Sequence, residues 1–398
     1  MTGHWVDTWT ATPQRIEPGD LPPPPYAGGD SPGGPVLADA TLRQTIRISA
    51  GGPRLRLRLS NAFGTAPLPV TRLAVARPAG GRAGVSAIEP GTSRPLTFSG
   101  RPGVVVPPGA QAVSDPLDVP LAPGSVVAVT AYLADGLPSV AVTGHPGSRT
   151  TSHLAPGDQC EATELAGATP VDHWYLLSAA EVRADPGTYA LVLLGDSLTD
   201  GRGSTTNGND RWPDRLADRL GGLLDGAAPA IANQATGGNR VLADGLGPSA
   251  LARLDRDVLA RSGARWLIVF EGVNDLGVAE PSPAAQKRTA GELVAGYEQI
   301  VTRAHAAGLT VYGATLTPFG GHDYDDPGGC REAARQAVND WIRTGGRFDA
   351  VIDFDRAVRD PAEPRRLRAA FDGGDGLHLN PAGYQALAEA VPAGLFAR

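Results

Sequence analysis

The sequence predicts two folds in succession: an all-β sandwich over residues 1–186, then an α/β domain built on a parallel sheet over residues 187–398. Three observations predict them. Proline divides the chain, with 25 of its 36 prolines at or before Pro186. The first part carries short runs of period two bounded by Gly and Pro, as antiparallel strands do. The second part alternates apolar runs with stripes of helical spacing, as repeated β-α units do when a parallel sheet is covered on both faces.

In the first part, "RLRLRLS" (54–60) alternates Arg54, Arg56 and Arg58 with Leu55, Leu57 and Leu59. The arginine row reads as the solvent face of a strand. "QTIRIS" (44–49) puts Ile46 and Ile48 on one face, and "GVVVP" (103–107), "SVVAVTAYL" (125–133) and "HWYLLSAAEV" (173–182) read as further strands. "LPPPPYAGGDSPGGP" (21–35) reads as a surface loop, partly polyproline-like. Trp5 and Trp9 read as core residues.

In the second part, "YALVLL" (189–194) is a buried-strand run. A helix follows from about Asp210, with Pro213 in its first turn and Trp212, Leu216, Leu220 and Leu223 on one stripe. "AIANQ" (230–234) is a second strand, and Leu251, Leu254 and Val258 mark the next helix. "RWLIVFEG" (265–272) is a third strand, followed by a helix through Leu293, Tyr297, Ile300 and Ala304. "LTVYGATL" (309–316) is a fourth, followed by a helix through Ala334, Val338, Trp341 and Ile342, and "AVIDF" (350–354) is a fifth. The last helix takes Asn380 as N-cap and Pro381 at its first position and runs to about Ala390.

Composition bounds the function. A chain of 398 residues is longer than one core usually takes, and 41% apolar with 19% charged residues is globular. A net charge of −7 without a Lys/Arg cluster argues against a nucleic-acid partner. No apolar run reaches 18 residues, so no membrane span is expected. "MTGHWVDTWTATPQ" lacks the basic and apolar regions of a signal peptide; it predicts a cytoplasmic protein, or a secreted one whose signal has been removed. Cys160 and Cys330 are read either as one disulfide or as two free thiols.

The chemistry gathers around "LVLLGDSLTDG" (191–201), where an apolar run ends in Gly195-Asp196-Ser197. Ligands of parallel α/β sheets bind beyond the carboxyl ends of the strands, which is where Ser197 falls. A turn serine needs no partners; a nucleophile needs a base, a group orienting that base, and donors for an oxyanion. Of the seven histidines, His378 stands apart. It precedes the final helix in "DGGDGLHLNP" (372–381), with Asp375 three residues earlier, within reach of its Nδ1. Donors come from "NQATGGNR" (233–240), where Gly238 can present its backbone N–H, and from "EGVND" (271–275), where Asn274 can present its amide. With the Ser197 N–H these make three donors at one sheet edge. Each piece alone is more often structural than catalytic; their order at successive strand ends favours a site.

The sequence here resembles the SGNH hydrolase superfamily, the GDSL esterases and lipases, over roughly residues 187–398. The resemblance is carried by "GDSLTDG", "NQATGGN", "GVND" and "DGLH". It implies a flavodoxin-like three-layer α/β/α sandwich with a five-stranded parallel sheet. It makes Ser197 the nucleophile, His378 the base with Asp375 behind it, and Ser197, Gly238 and Asn274 the oxyanion donors, with no metal or cofactor. "WVDTWTATP" and "RQTIRIS…LRLRLSNAFG" also resemble bacterial two-domain members that carry a β-sandwich, here read as jelly-roll-like, ahead of the hydrolase domain. The implied activity is hydrolysis of short-chain carboxylic esters, including acetyl groups on a carbohydrate. Acyl transfer to a sugar or other alcohol is the rival, and a carbohydrate-binding protein with secondary esterase activity a third reading. Asp196, Asp200, Phe319 and His322 are the candidates for the substrate pocket. Asp323, Asp325 and Asp326 form an acidic loop whose spacing does not match an EF-hand.

Overall fold

A computed structural model describes residues 3–28, 34–224 and 228–396. The chain forms two compact units, Met1–Pro186 with Thr206–Asn209, and Gly187–Thr205 with Asp210–Arg398.

The first unit is antiparallel β. One sheet runs His4–Thr10, Leu177–Ala184, Gly52–Ser60, Leu117–Leu121, with Gln111–Val113 also paired to Gly52–Ser60. A six-stranded sheet runs Thr169–Val171, Ser152–Pro156, Ala40–Arg47, Val126–Leu133, Arg72–Ala76, Arg94–Leu96. Alternation sends Leu55, Leu57 and Leu59 into the core. The opposite row is not simply a solvent face. Arg56 and Arg58 both pair with the fully buried Glu181, opposite Arg56 on the neighbouring strand. A buried carboxylate needs such compensation, and a period-two pattern gives no warning of it. Trp9 is core, whereas Trp5 is half-buried beneath the Arg56 guanidinium, 4.4 Å from its ring centroid. The run 173–182 is two strands, Trp174–Tyr175 and Leu177–Ala184, separated at Leu176, whose φ is +65°. Part of the loop read at 21–35, residues 29–33, lies outside the described residues.

The second unit is a β-α alternation. Its strands are β1 (Ala190–Gly195), β2 (Ala230–Ala235), β3 (Ala264–Phe270), β4 (Thr310–Ala314) and β5 (Ala350–Ile352). They pair in parallel in the order β2-β1-β3-β4-β5, the flavodoxin-like order. All of β1 is buried on both faces, which is why it reads as a continuous apolar run. Leu191 and Leu193 join Trp212, Leu216 and Leu220 of α2 (Trp212–Leu223) and Tyr384 and Leu387 of α8 (Pro381–Ala390) in one core layer. On the other face, α5 (Pro283–Ala306) buries Leu293, Tyr297 and Ile300 and packs on α6 (Cys330–Thr344).

Several boundaries differ from the sequence pattern, among them the third strand, which ends at Phe270 rather than 272. The helix marked by Leu251, Leu254 and Val258 is α3 (Ala250–Leu254) continued by a π turn over Asp255–Leu259. The fourth strand ends at Ala314 rather than 316. "AVIDF" is strand only to Ile352, because the Asp353 side chain accepts from Arg356 N–H and starts α7 (Phe354–Val358).

Candidate active site

The chain leaves β1 through Gly195. A Cβ there would sit 2.5 Å from Thr199 Oγ1, so only glycine permits the abrupt turn into α1 (Ser197–Asp200). Asp196 caps that helix by accepting the Leu198 N–H at 2.9 Å, and Ser197 takes its first position.

Ser197 Oγ lies 2.8 Å from His378 Nε2, and His378 Nδ1 lies 2.6 Å from Asp375 Oδ2. The other oxygen of Asp375 accepts the N–H groups of Leu377 and His378 at 3.0 and 2.8 Å. Burial alone would raise the Asp375 carboxyl; these bonds from His378 and Leu377 prevail and hold it at about 2. An ionised Asp375 keeps the imidazole proton on Nδ1, which leaves Nε2 to accept from Ser197. Burial lowers the His378 pKa below its ordinary value, opposed by Asp375 and assisted by the charge of Arg202. The ring is therefore the neutral base form at neutral pH. A second Asp–His pair, His305 with Asp349 at 2.9 Å, lies exposed at the far end of α5.

The oxyanion candidates sit on neighbouring strand ends. Gly195 is in register with Ala235 at the end of β2 and Phe270 at the end of β3. Thr236 N–H donates to Gly195 C=O at 3.1 Å, pinning the start of the second loop to the end of β1. Gly238 has φ +69°, and a Cβ there would also lie 2.8 Å from Leu246 Cδ1. Asn274 lies in the first turn of α4 (Val273–Val278). Its Nδ2 donates to Asn239 C=O at 2.8 Å, while Asp275 accepts the N–H groups of Val241 and Leu242 at 2.8 and 3.0 Å. Two adjacent side chains of the first turn of α4 thus hold the loop after β2 in place. From below, fully buried Arg253 donates to Asn239 Oδ1 and to Gln234 C=O.

The pocket candidates divide. His322 is beside His378, their ring centroids 6.3 Å apart. Its Nδ1 accepts the Tyr324 N–H at 3.1 Å, so its ring proton is on Nε2. Phe319 is no pocket wall: it is 1% exposed and belongs to the core layer, where an aromatic ring gains most from burial. Asp196 and Asp200 are buried, Asp196 immediately before Ser197 and Asp200 at the end of α1. Burial, and then the charges of Asp275 and Asp200, push the Asp196 carboxyl up to about 7. Glu271 and Asp275 are raised too, with burial the leading cause.

The acidic loop has other duties. Asp326 caps α6 by accepting from Cys330 and Arg331, and Asp325 pairs with Arg365 at 3.0 Å. Among the described residues no group of three or more His, Cys, Asp or Glu is arranged to hold a metal. Cys160 and Cys330 are free thiols. No helix among the described residues is long and apolar enough to cross a membrane. Tyr324 and Arg253 carry no periodicity or motif that would single them out; an aromatic within a Gly- and Asp-rich loop is the one signal for Tyr324.

Residues 193–386 match the model of the GDSL-like Lipase/Acylhydrolase family. Among solved structures, the chain is similar to an acetyl xylan esterase from Geobacillus stearothermophilus, at 20% identity over 51% of this chain and 94% of that one, TM-score 0.38. It is also similar to an α/β hydrolase from the metagenome of Lake Arreo, at 20% identity over 51% and 92%, TM-score 0.37. A GDSL-like lipase from Bacteroides thetaiotaomicron matches at 16% identity over 50% and 84%, TM-score 0.34. No curated protein matches the chain.

Proposed function

We propose, for a chain whose residues 193–386 belong to the GDSL-like lipase/acylhydrolase family, a carboxylic ester hydrolase that works through an acyl-enzyme on Ser197. The observation that carries this reading is the continuous hydrogen-bonded line Ser197–His378–Asp375 at the end of β1. His378 Nε2 takes the hydroxyl proton as Oγ attacks the ester carbonyl. Asp375 stabilises the resulting imidazolium without itself being protonated. The tetrahedral oxyanion is received by the backbone N–H groups of Ser197 and Gly238 and by the Asn274 amide. His378 then protonates the departing alcohol. Water, deprotonated by the same imidazole, attacks the acyl carbonyl, and collapse of the second tetrahedral intermediate returns the proton to Oγ and releases the acid.

The test is turnover of p-nitrophenyl esters from acetate to decanoate by wild type and Ser197→Ala in parallel. Short-chain esters are the expected substrates. Wild-type turnover with the variant at background supports the assignment, and the optimum gives the acyl length accepted. Equal turnover by both proteins rejects Ser197 as nucleophile. Wild-type inertness towards water with transfer to an added alcohol would point to acyl transfer.

A further inference from the structure

The Asn274 amide has two neighbours that settle which way round it sits. Its Nδ2 faces the Asn239 C=O, which can only accept, so the nitrogen end is fixed there. Its Oδ1 then faces Tyr324 Oη at 3.0 Å, so the phenol must be the donor. One N–H of Nδ2 remains for an incoming oxygen. Rotating the amide by half a turn would set oxygen against oxygen at Asn239 and withdraw that N–H.

The tyrosine is seated for this contact. Gly277 lies three residues beyond Asn274, one turn along α4, and a Cβ there would fall 2.3 Å from the Tyr324 ring. The ring therefore rests on bare backbone beside the amide it contacts. Its loop is pinned on both sides. Gly321 N–H donates to Asp325 at 3.0 Å, and Arg331 joins the Tyr324 and Ala279 carbonyls at 3.4 and 2.8 Å. A Cβ at Gly376 would lie 2.9 Å from His322 N, so the segment bearing Asp375 and His378 also packs directly on this loop.

We propose that Tyr324 is a positioning residue of the reaction: its hydroxyl, 3.0 Å from Asn274 Oδ1, holds the amide in the one orientation that aims an N–H at the developing oxyanion. This rests on the ester-hydrolase reading. Burial raises the Tyr324 pKa, so the donor proton is present throughout the working range.

The experiment is a double-mutant cycle on p-nitrophenyl acetate with Tyr324→Phe, Asn274→Ala and the double variant, alongside wild type and Ser197→Ala. Phenylalanine keeps the ring on Gly277 and removes only the oxygen, and melting temperatures verify folding. Tyr324→Phe should lower kcat about tenfold, less than the 10²–10³ of a lost oxyanion donor, with KM changed less than about twofold. In the Asn274→Ala background the same change should be silent, because no amide is left to orient. The Ki of phenylboronic acid, whose serine adduct carries an oxyanion-like oxygen, should rise in step with the fall in kcat. Wild-type kcat in Tyr324→Phe, or an equal loss in both backgrounds, overturns the proposal while leaving the hydrolase reading intact. Wild type without Ser197-dependent turnover overturns both.

Discussion

The guanidinium of Arg253 gives two hydrogen bonds to a single oxygen, Oδ1 of Asn239, at 3.0 and 2.8 Å. That oxygen belongs to the residue after Gly238, so a charge buried beneath the sheet edge sets the second loop. The same arginine lies 3.7 Å from Asp257 and 3.8 Å from Glu271, all essentially inaccessible. Arg253→Met keeps the length of the stem and removes the charge and its donors. It should cost about 3–5 kcal/mol, as removing one side of a buried pair does. In a unit of this size that is a melting-temperature loss of about 10 °C. Thermal denaturation followed by calorimetry measures it; an unshifted melting point would mean the acids below Asn239 do not depend on this cation.

The pH dependence follows from His378. The proposed reaction needs its neutral form, and burial holds its pKa below the ordinary 6.5. Because Asp375 stays ionised down to about 2, it adds no second inflection to the acid limb that His378 sets. kcat/KM should be level through neutrality and fall tenfold per pH unit only below an inflection under 6.5. Asp375→Asn should lower kcat by about 10⁴. Since Asp375 is the influence that raises the imidazole pKa, the inflection in that variant should move lower still. A pH profile of the ester assay reads both effects, and an inflection above 7 would contradict the buried, neutral base.

Asp196 yields a stability prediction of opposite sign. Its carboxyl holds a proton in the folded chain to about pH 7, against 3.8 for an unperturbed aspartate. Its contribution to folding is fully present below pH 4 and is lost as pH rises to 7, because the unfolded chain releases the proton first. Asp196→Asn keeps an oxygen to cap Leu198 and carries no proton to release. The variant's melting temperature should gain on wild type between pH 4 and pH 7 and hold a constant lead above that. A lead independent of pH would show that Asp196 is ionised in the fold.

Much of the second unit is legible because its signals are local. β1 is apolar throughout since both faces are covered, and the Asn380-Pro381 start of α8 is written in adjacent residues. Ser197, Gly238, Asn274, Asp375 and His378 stand out in the sequence because each follows or precedes a readable element, and the fold brings Ser197, His378 and Asp375 into hydrogen-bonded contact. What was not legible depends on distant pairs. Tyr324 meets Asn274 across 50 positions. Phe319 looked like a pocket wall because it follows a strand end, yet only the packed layer decides whether an aromatic turns inward. Arg56 and Arg58 looked solvated because alternation reports the side of a strand and says nothing of a Glu181 waiting 125 and 123 positions away.

The Ser197 hydroxyl and the His378 imidazole are separated by 181 positions of chain. During synthesis Ser197, Gly238 and Asn274 therefore emerge well before His378, the base of the proposed reaction. On the proposed mechanism, a nascent or truncated chain ending before His378 lacks the group that takes the Ser197 proton, however well its sheet has formed. The onset of ester cleavage would then time the docking of the final segment, and make turnover a direct clock for the last step of maturation.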